Sequence, residues 1–443
     1  MMKKVRVRHP TLGDGVVLDT RHRGHEYLVS FKNRIMMWVK GRHLIFLEER
    51  PPLPKSVFVP PTFKVRPIFS PERGKREVIE AFRSGIVPTQ FIKGWTVGRA
   101  RELSKIDTWL HDQTSGTLVI KGEYGAGKTH IIENLRAHAL ELNYATASVG
   151  IDPMDAQAGF PKRVYRHLVQ NFSVPYKEKI LNFEQALRLL AKKDALNDHP
   201  ILKDVLKCIR EKNDTEEMWA WLEGKDSSFR QWGVLYDHST AANIYCLILS
   251  GLSRALEEYL GACGLILLFD ETESARIYRY SYEWKRALNL FRALILVSND
   301  EPDLFEERVL KEEDCYKGER TGLVYSGHRP LPYIHQLPTY FKVVFALTPD
   351  FSMDLVSEYN IYQIELEPIP PEYLEYFFYR FVDLYGKVYG VKLTHQQKRQ
   401  IFDLIKGYAF ICTRTFIKAM VECLDFKRFY PTLEIEALME EYG

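Results

Sequence analysis

Three runs of apolar residues along the chain have the length and composition of buried β-strands. They cover residues 117–121 (TLVIK), 265–269 (LILLF) and 343–347 (VVFAL). Between the first two runs, and again from Pro370 onward, apolar residues recur mostly at helical spacing. Strands that alternate with helices in this way predict an α/β fold, in which helices flank a parallel sheet.

The same pattern divides the chain into domains. Residues 1–50 hold short β-rich runs separated by turns such as LGDG and RHRGH, which predicts a small β module. Residues 51–71 contain seven prolines and are typical of an extended connector. We expect a core over residues 72–362 with a helical insertion at about 155–260, and then an all-helical C-terminal domain over residues 363–443.

Charge and cysteine usage narrow the class of protein. The net charge is +3, but residues 1–50 carry eleven Lys and Arg against five Asp and Glu, so this segment is +6 and the remainder −3. The six cysteines are scattered without metal-binding spacing, which favours reduced thiols in a cytoplasmic protein. The first ten residues lack the apolar run of a signal peptide, and no apolar stretch reaches the roughly 18 residues that span a membrane.

A glycine-rich segment follows the first predicted strand. Residues 122–129 read GEYGAGKT, which fits the pattern G-x-x-x-x-G-K-[ST]. In such a loop, backbone N–H groups and a helix N-terminus bind nucleotide phosphates. The lysine reaches the β- and γ-phosphate oxygens and the hydroxyl binds Mg²⁺, which gives Lys128 a catalytic role and makes Thr129 a metal ligand. The expected cofactor-binding residues here are Gly122, Glu123, Tyr124, Gly125, Ala126, Gly127, Lys128, Thr129 and His130.

Two carboxylates end the second apolar run. Asp270 is expected to bind Mg²⁺, and Glu271 is expected to polarise an attacking water. By itself this pair is also typical of a strand that leads into a capped helix. Because the glycine-rich segment precedes it, we interpret the pair as part of a nucleotide hydrolase.

Three further positions complete the predicted site. Thr348, after the third run, is a candidate sensor of the γ-phosphate, the alternative being an ordinary strand-ending turn. Arg414, at the start of a C-terminal helix, suits a lid arginine that contacts the γ-phosphate, the alternative being a solvated first-turn arginine. Val97, Gly98 and Arg99 lie about 20 residues before the glycine-rich segment, where ATPases of this type bind adenine.

ATP is the expected nucleotide. A GTPase needs an N/T-K-x-D element downstream of the loop, and the sequence has none. The Asp-Glu pair serves water activation, which disfavours a small-molecule kinase. The predicted reaction is therefore Mg²⁺-dependent hydrolysis of ATP.

Together these residues resemble the AAA+ ATPases of the additional-strand P-loop class. The separation of 143 positions from Gly127 to Asp270 exceeds the usual spacing, which is why an insertion is expected. More closely, six segments of the chain look like the BrxD-type ATP-binding proteins of BREX phage-defence systems. They read AFRSGIVP, WTVGRARELSKI, IKGEYGAGKTHIIENLRAHAL, MWAWLEG, LILLFDETES and GYAFICTRTFIKAMVE. This resemblance implies a cytosolic ATPase, commonly encoded beside a helicase, that acts in defence against foreign DNA.

The N-terminal module has a separate resemblance. HPTLGDGVV, YLVSF and WVKGRHLIFLE are similar to the SH3-like (Tudor-like) domains of UvrD-type helicases and CarD-type proteins, which dock on protein partners. Its basic surface also suits a nucleic-acid backbone. Candidate contacts to DNA or a partner, otherwise a solvated face, are Lys3, Lys4, Arg6, Arg8, Arg21, Arg23, Lys40 and Arg42.

Two functions of different classes are compatible with these features. The first is a mechanical ATPase, a motor or loader, that acts on DNA or on a DNA-bound partner such as a helicase. The second is an ATP-controlled switch or scaffold that docks a partner and hydrolyses ATP slowly without DNA. In AAA+ proteins an arginine from the next subunit often completes the site, so a homo-oligomer is expected. The candidates for that arginine are Arg276, Arg279, Arg286 and Arg292.

Overall fold

The computed structural model describes most of the chain from residue 71 onward and five short segments before it. The described residues are 5–9, 12–21, 26–32, 36–40, 44–47, 71–226, 228–229, 232–276, 281–305, 307–312, 315–350, 361–410 and 412–433. The predicted connector therefore lies outside the described residues, apart from Pro71, which begins a helix.

An antiparallel sheet of five strands forms the N-terminal module. Its strands are β1 (Arg6–His9), β2 (Gly13–Arg21), β3 (Glu26–Phe31), β4 (Met36–Lys40) and β5 (Ile45–Phe46), in the order β4-β3-β2-β1-β5. Val7, Val17, Val29 and Phe31 form its small apolar core. A small β domain agrees with the sequence, and the SH3-like identity stays a prediction.

The core begins with helices and the first two strands of a second sheet. The elements are α1 (Pro71–Arg83), α2 (Ile92–Trp95), α3 (Ala100–His111), β6 (Thr117–Lys121), α4 (Lys128–Glu141) and β7 (Ala145–Gly150). Strand β6 is the first apolar run of the sequence, and four of its five residues are buried.

The segment after β7 is mainly helical. It contains α5 (Pro161–Gln170), β8 (Val174–Tyr176), β9 (Lys179–Leu181), α6 (Phe183–Ala191), α7 (Leu202–Arg210), α8 (Glu216–Leu222), β10 (Ser228–Phe229), β11 (Gly233–Val234) and α9 (Ala242–Leu260). The paired strands β8–β9 and β10–β11 were not predicted. Trp221, Leu222 and the buried face of α9 join one large apolar core with the sheet.

The remaining elements supply the last three strands of the central sheet, helix α10, a separate three-stranded sheet and the C-terminal helices. They are β12 (Leu265–Asp270), α10 (Ser281–Ser298), β13 (Val309–Lys311), β14 (Tyr316–Gly318), β15 (Val324–Tyr325), β16 (Phe341–Leu347), β17 (Tyr362–Glu365), α11 (Pro371–Tyr389), α12 (His395–Ile405) and α13 (Thr413–Phe429). Helices α11 to α13 pack around Phe378, Phe381 and Phe416, and α1 contributes Phe82 to the same apolar cluster. We call α11 to α13 the lid.

The central sheet is parallel and has the strand order β17-β6-β16-β12-β7. Strand β16 therefore lies between β6, which leads into the glycine-rich loop, and β12, which ends at Asp270. This mixed α/β architecture, with a five-stranded parallel sheet flanked by helices, fits a P-loop NTPase fold. Ligands in such sheets bind at the carboxyl ends of the strands, and that edge is where the predicted site residues lie.

Candidate nucleotide site

A cavity of about 390 Å³ opens between the carboxyl edge of the sheet and the lid. The residues that line it include most of the predicted site. These residues come from separate parts of the chain and are Val97, Arg99, Tyr124 to His130, Asp270, Glu271, Thr348 and Arg414. Gly98, Gly122 and Glu123 are not among the lining residues, although they adjoin them in sequence.

The glycine-rich loop has the backbone that its sequence requires. Gly125 has φ of +79° and Gly127 has φ of +96°, in the left-handed region that side chains disfavour. Gly127 is the N-cap of α4, so the N-terminus of this helix faces the cavity. The conformation and the helix terminus together suit an anion such as a phosphate group.

Lys128 is folded back toward its own loop. Its ammonium group donates to the carbonyl oxygens of Gly122 at 2.8 Å and Glu123 at 3.4 Å, and it lies 3.5 Å from a carboxylate oxygen of Glu273. The side chain is 8% exposed. The lysine therefore lines the cavity with its charge already partly compensated by the protein.

Asp270 ends β12 and Glu271 follows it, and both residues line the cavity. Asp270 Oδ1 accepts a hydrogen bond from the backbone N–H of Glu271 at 2.9 Å, and Glu271 has a left-handed φ of +50°. The pKa of Glu271 lies above its ordinary value because of burial and the negative charges of Asp270 and Glu273, while Arg414 and Lys128 oppose the shift. A raised pKa makes Glu271 a better proton acceptor than an ordinary glutamate once it is ionised.

Thr129 and Asp270 supply the oxygen atoms that Mg²⁺ prefers. Both line the cavity, one at the start of α4 and the other at the end of β12. Within the described part of the chain, no group of three or more His, Cys, Asp or Glu side chains is arranged to hold a metal. Two protein ligands still fit Mg²⁺, because this ion usually keeps several waters and binds substrate phosphates in addition.

The lid closes the cavity through Arg414 and Cys412. Arg414 donates to the hydroxyl of Tyr124 at 3.0 Å. A Cβ placed on Gly125 would lie 2.7 Å from the Cβ of Cys412, so only glycine fits at this position of the loop. The first turn of α13 is thus in direct contact with the phosphate-binding loop.

Arg99 is hydrogen-bonded to the loop, and His130 follows the loop in the first turn of α4. The Arg99 guanidinium donates to Glu102 at 2.8 Å, to the Glu367 carbonyl at 2.6 Å and to the Ala126 carbonyl at 2.8 Å. Burial, with a smaller effect of Arg99, lowers the pKa of His130 to about 4, so its ring is neutral. Through these bonds Arg99 links the loop to the segment that follows β17. Its contact with adenine stays a prediction.

The other end of the cavity is apolar, and its residues were mostly missed from the sequence. A Cβ on Gly98 would come within 3.0 Å of Ile369, so this predicted residue packs against the start of the lid. The apolar lining comes from α1 and α2, from residues that follow these helices, and from the lid and the residues just before it. It includes Phe82, Ile86, Trp95, Val97, Ile369, Leu374, Phe377 and Ile417. An apolar wall of this kind suits the face of a nucleobase. Helical periodicity in α1 and α11 marks these residues as buried but does not distinguish a core from a pocket.

The basic candidates of the N-terminal module are only partly described. Lys3, Lys4, Arg23 and Arg42 lie outside the described residues, as do the side chains of Arg21 and Lys40. Arg6 and Arg8 alternate with buried Val7 on β1 and are both exposed on one face. Arg8 forms an ion pair with Asp14 at 2.7 Å.

The four candidates for an intersubunit arginine are also only partly described. Arg279 and the side chain of Arg276 lie outside the described residues. Arg286 and Arg292 are on α10 and do not line the cavity. Arg292 instead lies near Gly322, between β14 and β15.

Comparison with known proteins gives one family. The model of the family described as BREX system ATP-binding protein BrxC/D matches residues 71–188. The match includes the glycine-rich loop and ends before Asp270. No curated protein matches the chain. The similarity supports ATP binding by this domain and a connection with BREX phage defence.

The described residues have two further properties that concern membrane spans and cysteines. No helix among them is both long enough and apolar enough to cross a lipid bilayer. All six cysteines, each within the described residues, carry free thiols.

Proposed function

We propose that this protein hydrolyses ATP with Mg²⁺ as an AAA+-type motor or loader. The reaction drives an action on DNA, or on a DNA-bound partner such as a helicase, in defence against phage. One observation carries the proposal. A single cavity brings together Lys128, Thr129, Asp270, Glu271 and Arg414, which lie up to 286 positions apart in the chain.

Each of these residues has a distinct task in hydrolysis. The glycine-rich loop binds the phosphates, and Lys128 balances their negative charge. Glu271 accepts a proton from the attacking water, because its side chain lies beside the loop and its pKa is raised. Thr129 and Asp270 would hold Mg²⁺, which neutralises phosphate oxygens when it is bound. Thr348 follows β16, between the two other strands of the site, where it would contact the water or the outermost phosphate.

Two features support an action on DNA or a DNA-bound partner, and a third supports a homo-oligomer. The N-terminal module is basic, with a net charge of +6 over residues 1–50. The family match belongs to a BREX defence system. Proteins of this class commonly use a neighbouring subunit to supply an arginine, which supports a homo-oligomer.

The contact between Arg414 and Tyr124 favours a second candidate, an ATP-controlled switch or scaffold. Because this contact joins the lid directly to the phosphate-binding loop, nucleotide binding would change the position of the lid. In that case hydrolysis would be slow and would only reset the lid.

ATP hydrolysis in the presence and absence of DNA separates these candidates. The measurement uses wild-type protein and Glu271→Gln, each with no nucleic acid, with single-stranded DNA and with double-stranded DNA, across a salt series. For a DNA-acting motor we expect stimulation that weakens as salt increases and that is lost when residues 1–50 are deleted. Hydrolysis that is unaffected by any nucleic acid would favour the switch. Equal hydrolysis by wild type and Glu271→Gln would contradict the assignment of the active site.

A further inference from the structure

Glu273 is an acidic residue of the cavity that the predicted hydrolysis chemistry does not use. It lies in the short 3-10 helix Thr272–Arg276, directly after the Asp270 and Glu271 pair. One carboxylate oxygen is 3.5 Å from the ammonium group of Lys128. The other oxygen is buried and has no hydrogen-bond partner among the described residues.

The buried ion pair of Arg99 and Glu102 gives a comparison for the contact between Lys128 and Glu273. Arg99 and Glu102 are 2.8 Å apart, and the guanidinium also donates to two backbone carbonyls. The contact between Lys128 and Glu273 is longer, and it leaves a buried carboxylate oxygen without a donor. Because such an oxygen is unfavourable, the Lys128–Glu273 pair is the easier of the two to exchange for another anion.

The position of Glu273 determines which anion competes with it. Lysines at this position of a phosphate-binding loop reach the β- and γ-phosphate oxygens. Glu273 approaches Lys128 from the side of β12, where Glu271 would activate water beside the γ-phosphate. A diphosphate would contact Lys128 through its β-phosphate alone, whereas a triphosphate would add the negative charge of the γ-phosphate next to the Glu273 carboxylate.

We propose that Glu273 is a specificity-determining residue that lowers the affinity for ATP relative to ADP, because it is the counter-ion of Lys128 until the γ-phosphate displaces it. This inference rests on the proposed function, since it concerns the same nucleotide site. The exchange involves no covalent step. The Lys128 ammonium group changes partner from a carboxylate to a phosphate, and the 3-10 helix is released from the loop.

Binding measurements on three proteins test the proposal. The dissociation constants of ADP and of adenosine 5′-(β,γ-imido)triphosphate are measured for wild type, Glu273→Gln and Glu133→Gln. Glu133 is the matched control because its carboxylate acts electrostatically on Asp270 and is paired with Arg136 rather than with Lys128. All measurements are repeated in EDTA, so that an effect through Lys128 is separated from an effect through the metal.

For Glu273→Gln we expect the triphosphate analogue to bind about fivefold more tightly and ADP to change by less than about twofold, with and without Mg²⁺. Glu133→Gln should change the ratio of the two affinities by less than about twofold. In a Lys128→Met background, Glu273→Gln should leave this ratio unchanged, because its effect is transmitted through the lysine.

The possible results are distinguishable. An unchanged ratio in Glu273→Gln, with a melting temperature equal to that of wild type, would overturn the role of Glu273 and leave the proposed function intact. Weaker binding of the triphosphate only in Mg²⁺ would also overturn it, since Glu273 would then hold the metal. Failure of wild type to bind either nucleotide would refute the nucleotide site itself, and with it both proposals.

Discussion

Arg414 in the lid and Tyr124 in the phosphate-binding loop are joined by two contacts. The guanidinium group donates to the tyrosine hydroxyl at 3.0 Å, and its central carbon lies 5.5 Å from the centre of the ring. A cation above an aromatic face is attracted electrostatically, so the ring and the hydroxyl both hold the arginine. Tyr124 thus keeps Arg414 at the edge of the cavity.

Replacement of Arg414 by alanine should reduce catalysis much more than binding. An arginine that contacts a transferred phosphoryl group stabilises charge that develops in the transition state. We therefore expect kcat for ATP hydrolysis to fall by about 100-fold or more, with a smaller change in KM. Arg399→Ala is the matched control, because this lid arginine is exposed on α12. Equal and small effects of both substitutions would show that Arg414 is a solvated first-turn residue.

Substitution of Tyr124 should loosen the lid in the nucleotide-free protein. Tyr124→Ala removes the ring and the hydroxyl, whereas Tyr124→Phe keeps the ring beneath Arg414. Hydrogen exchange measured by mass spectrometry should increase at the start of α13 in the alanine variant, and less in the phenylalanine variant. Exchange that is the same in all three proteins would show that packing of Cys412 on Gly125 is sufficient to hold the lid.

Lys342 is a buried lysine that stabilises the central sheet. Its ammonium group donates to the carbonyl oxygens of Trp109 at 3.1 Å, Asp112 at 2.7 Å and Ser115 at 3.1 Å, and it lies 4.6 Å from the centre of the Trp109 ring. Lys342→Met leaves these carbonyls without that donor, so we expect the free energy of unfolding to fall by about 2–4 kcal/mol. Urea denaturation measures this value, and Lys179→Met on the exposed strand β9 is the control. A loss no larger than that of the control would contradict the prediction.

The sequence predicts the three strands that define the site because each is an unbroken apolar run buried on both faces. The observed strands Thr117–Lys121, Leu265–Asp270 and Phe341–Leu347 agree with those runs. The two flanking strands were missed for physical reasons. Strand β7 reads ATASVG, whose small and polar residues give little apolar signal, and β17 has only four residues and alternates at the edge of the sheet.

The sequence predicts more residues at the phosphate-binding end of the site than at its apolar end. Lys128, Asp270 and Glu271 belong to short motifs in which residue type and spacing reflect phosphate and metal chemistry directly. The apolar wall carries no such motif, because Trp95 and Phe377 have the same pattern as ordinary core residues. Glu273 was missed because its significance depends on a distance to Lys128 across the fold, which spacing along the chain does not reveal.

His199 should make the protein less stable as the pH falls below neutrality. Its Nδ1 accepts hydrogen bonds from the N–H groups of Ile201 at 3.1 Å and Leu202 at 3.0 Å, and its Nε2 donates to the carbonyl oxygen of Leu247 at 3.1 Å. Protonation of Nδ1 would break the first two bonds inside the core. Burial is the largest cause that lowers the pKa of His199, to about 4 from an ordinary 6.5, and nearby His335 contributes in the same direction.

The sign of the effect follows from this lowered pKa. Above pH 6.5 the ring is neutral in both the folded and the unfolded protein, so the stabilisation is fully present. Between pH 6.5 and about 4, His199 is protonated in the unfolded chain but stays neutral in the folded protein. The free energy of unfolding therefore falls by up to about 3 kcal/mol as the pH decreases over this range. Urea denaturation at several pH values should therefore show a steeper decline for wild type than for His199→Asn, in which an amide oxygen keeps an acceptor near α7 but does not titrate. Parallel curves for the two proteins across this range would mean that His199 is not the group responsible.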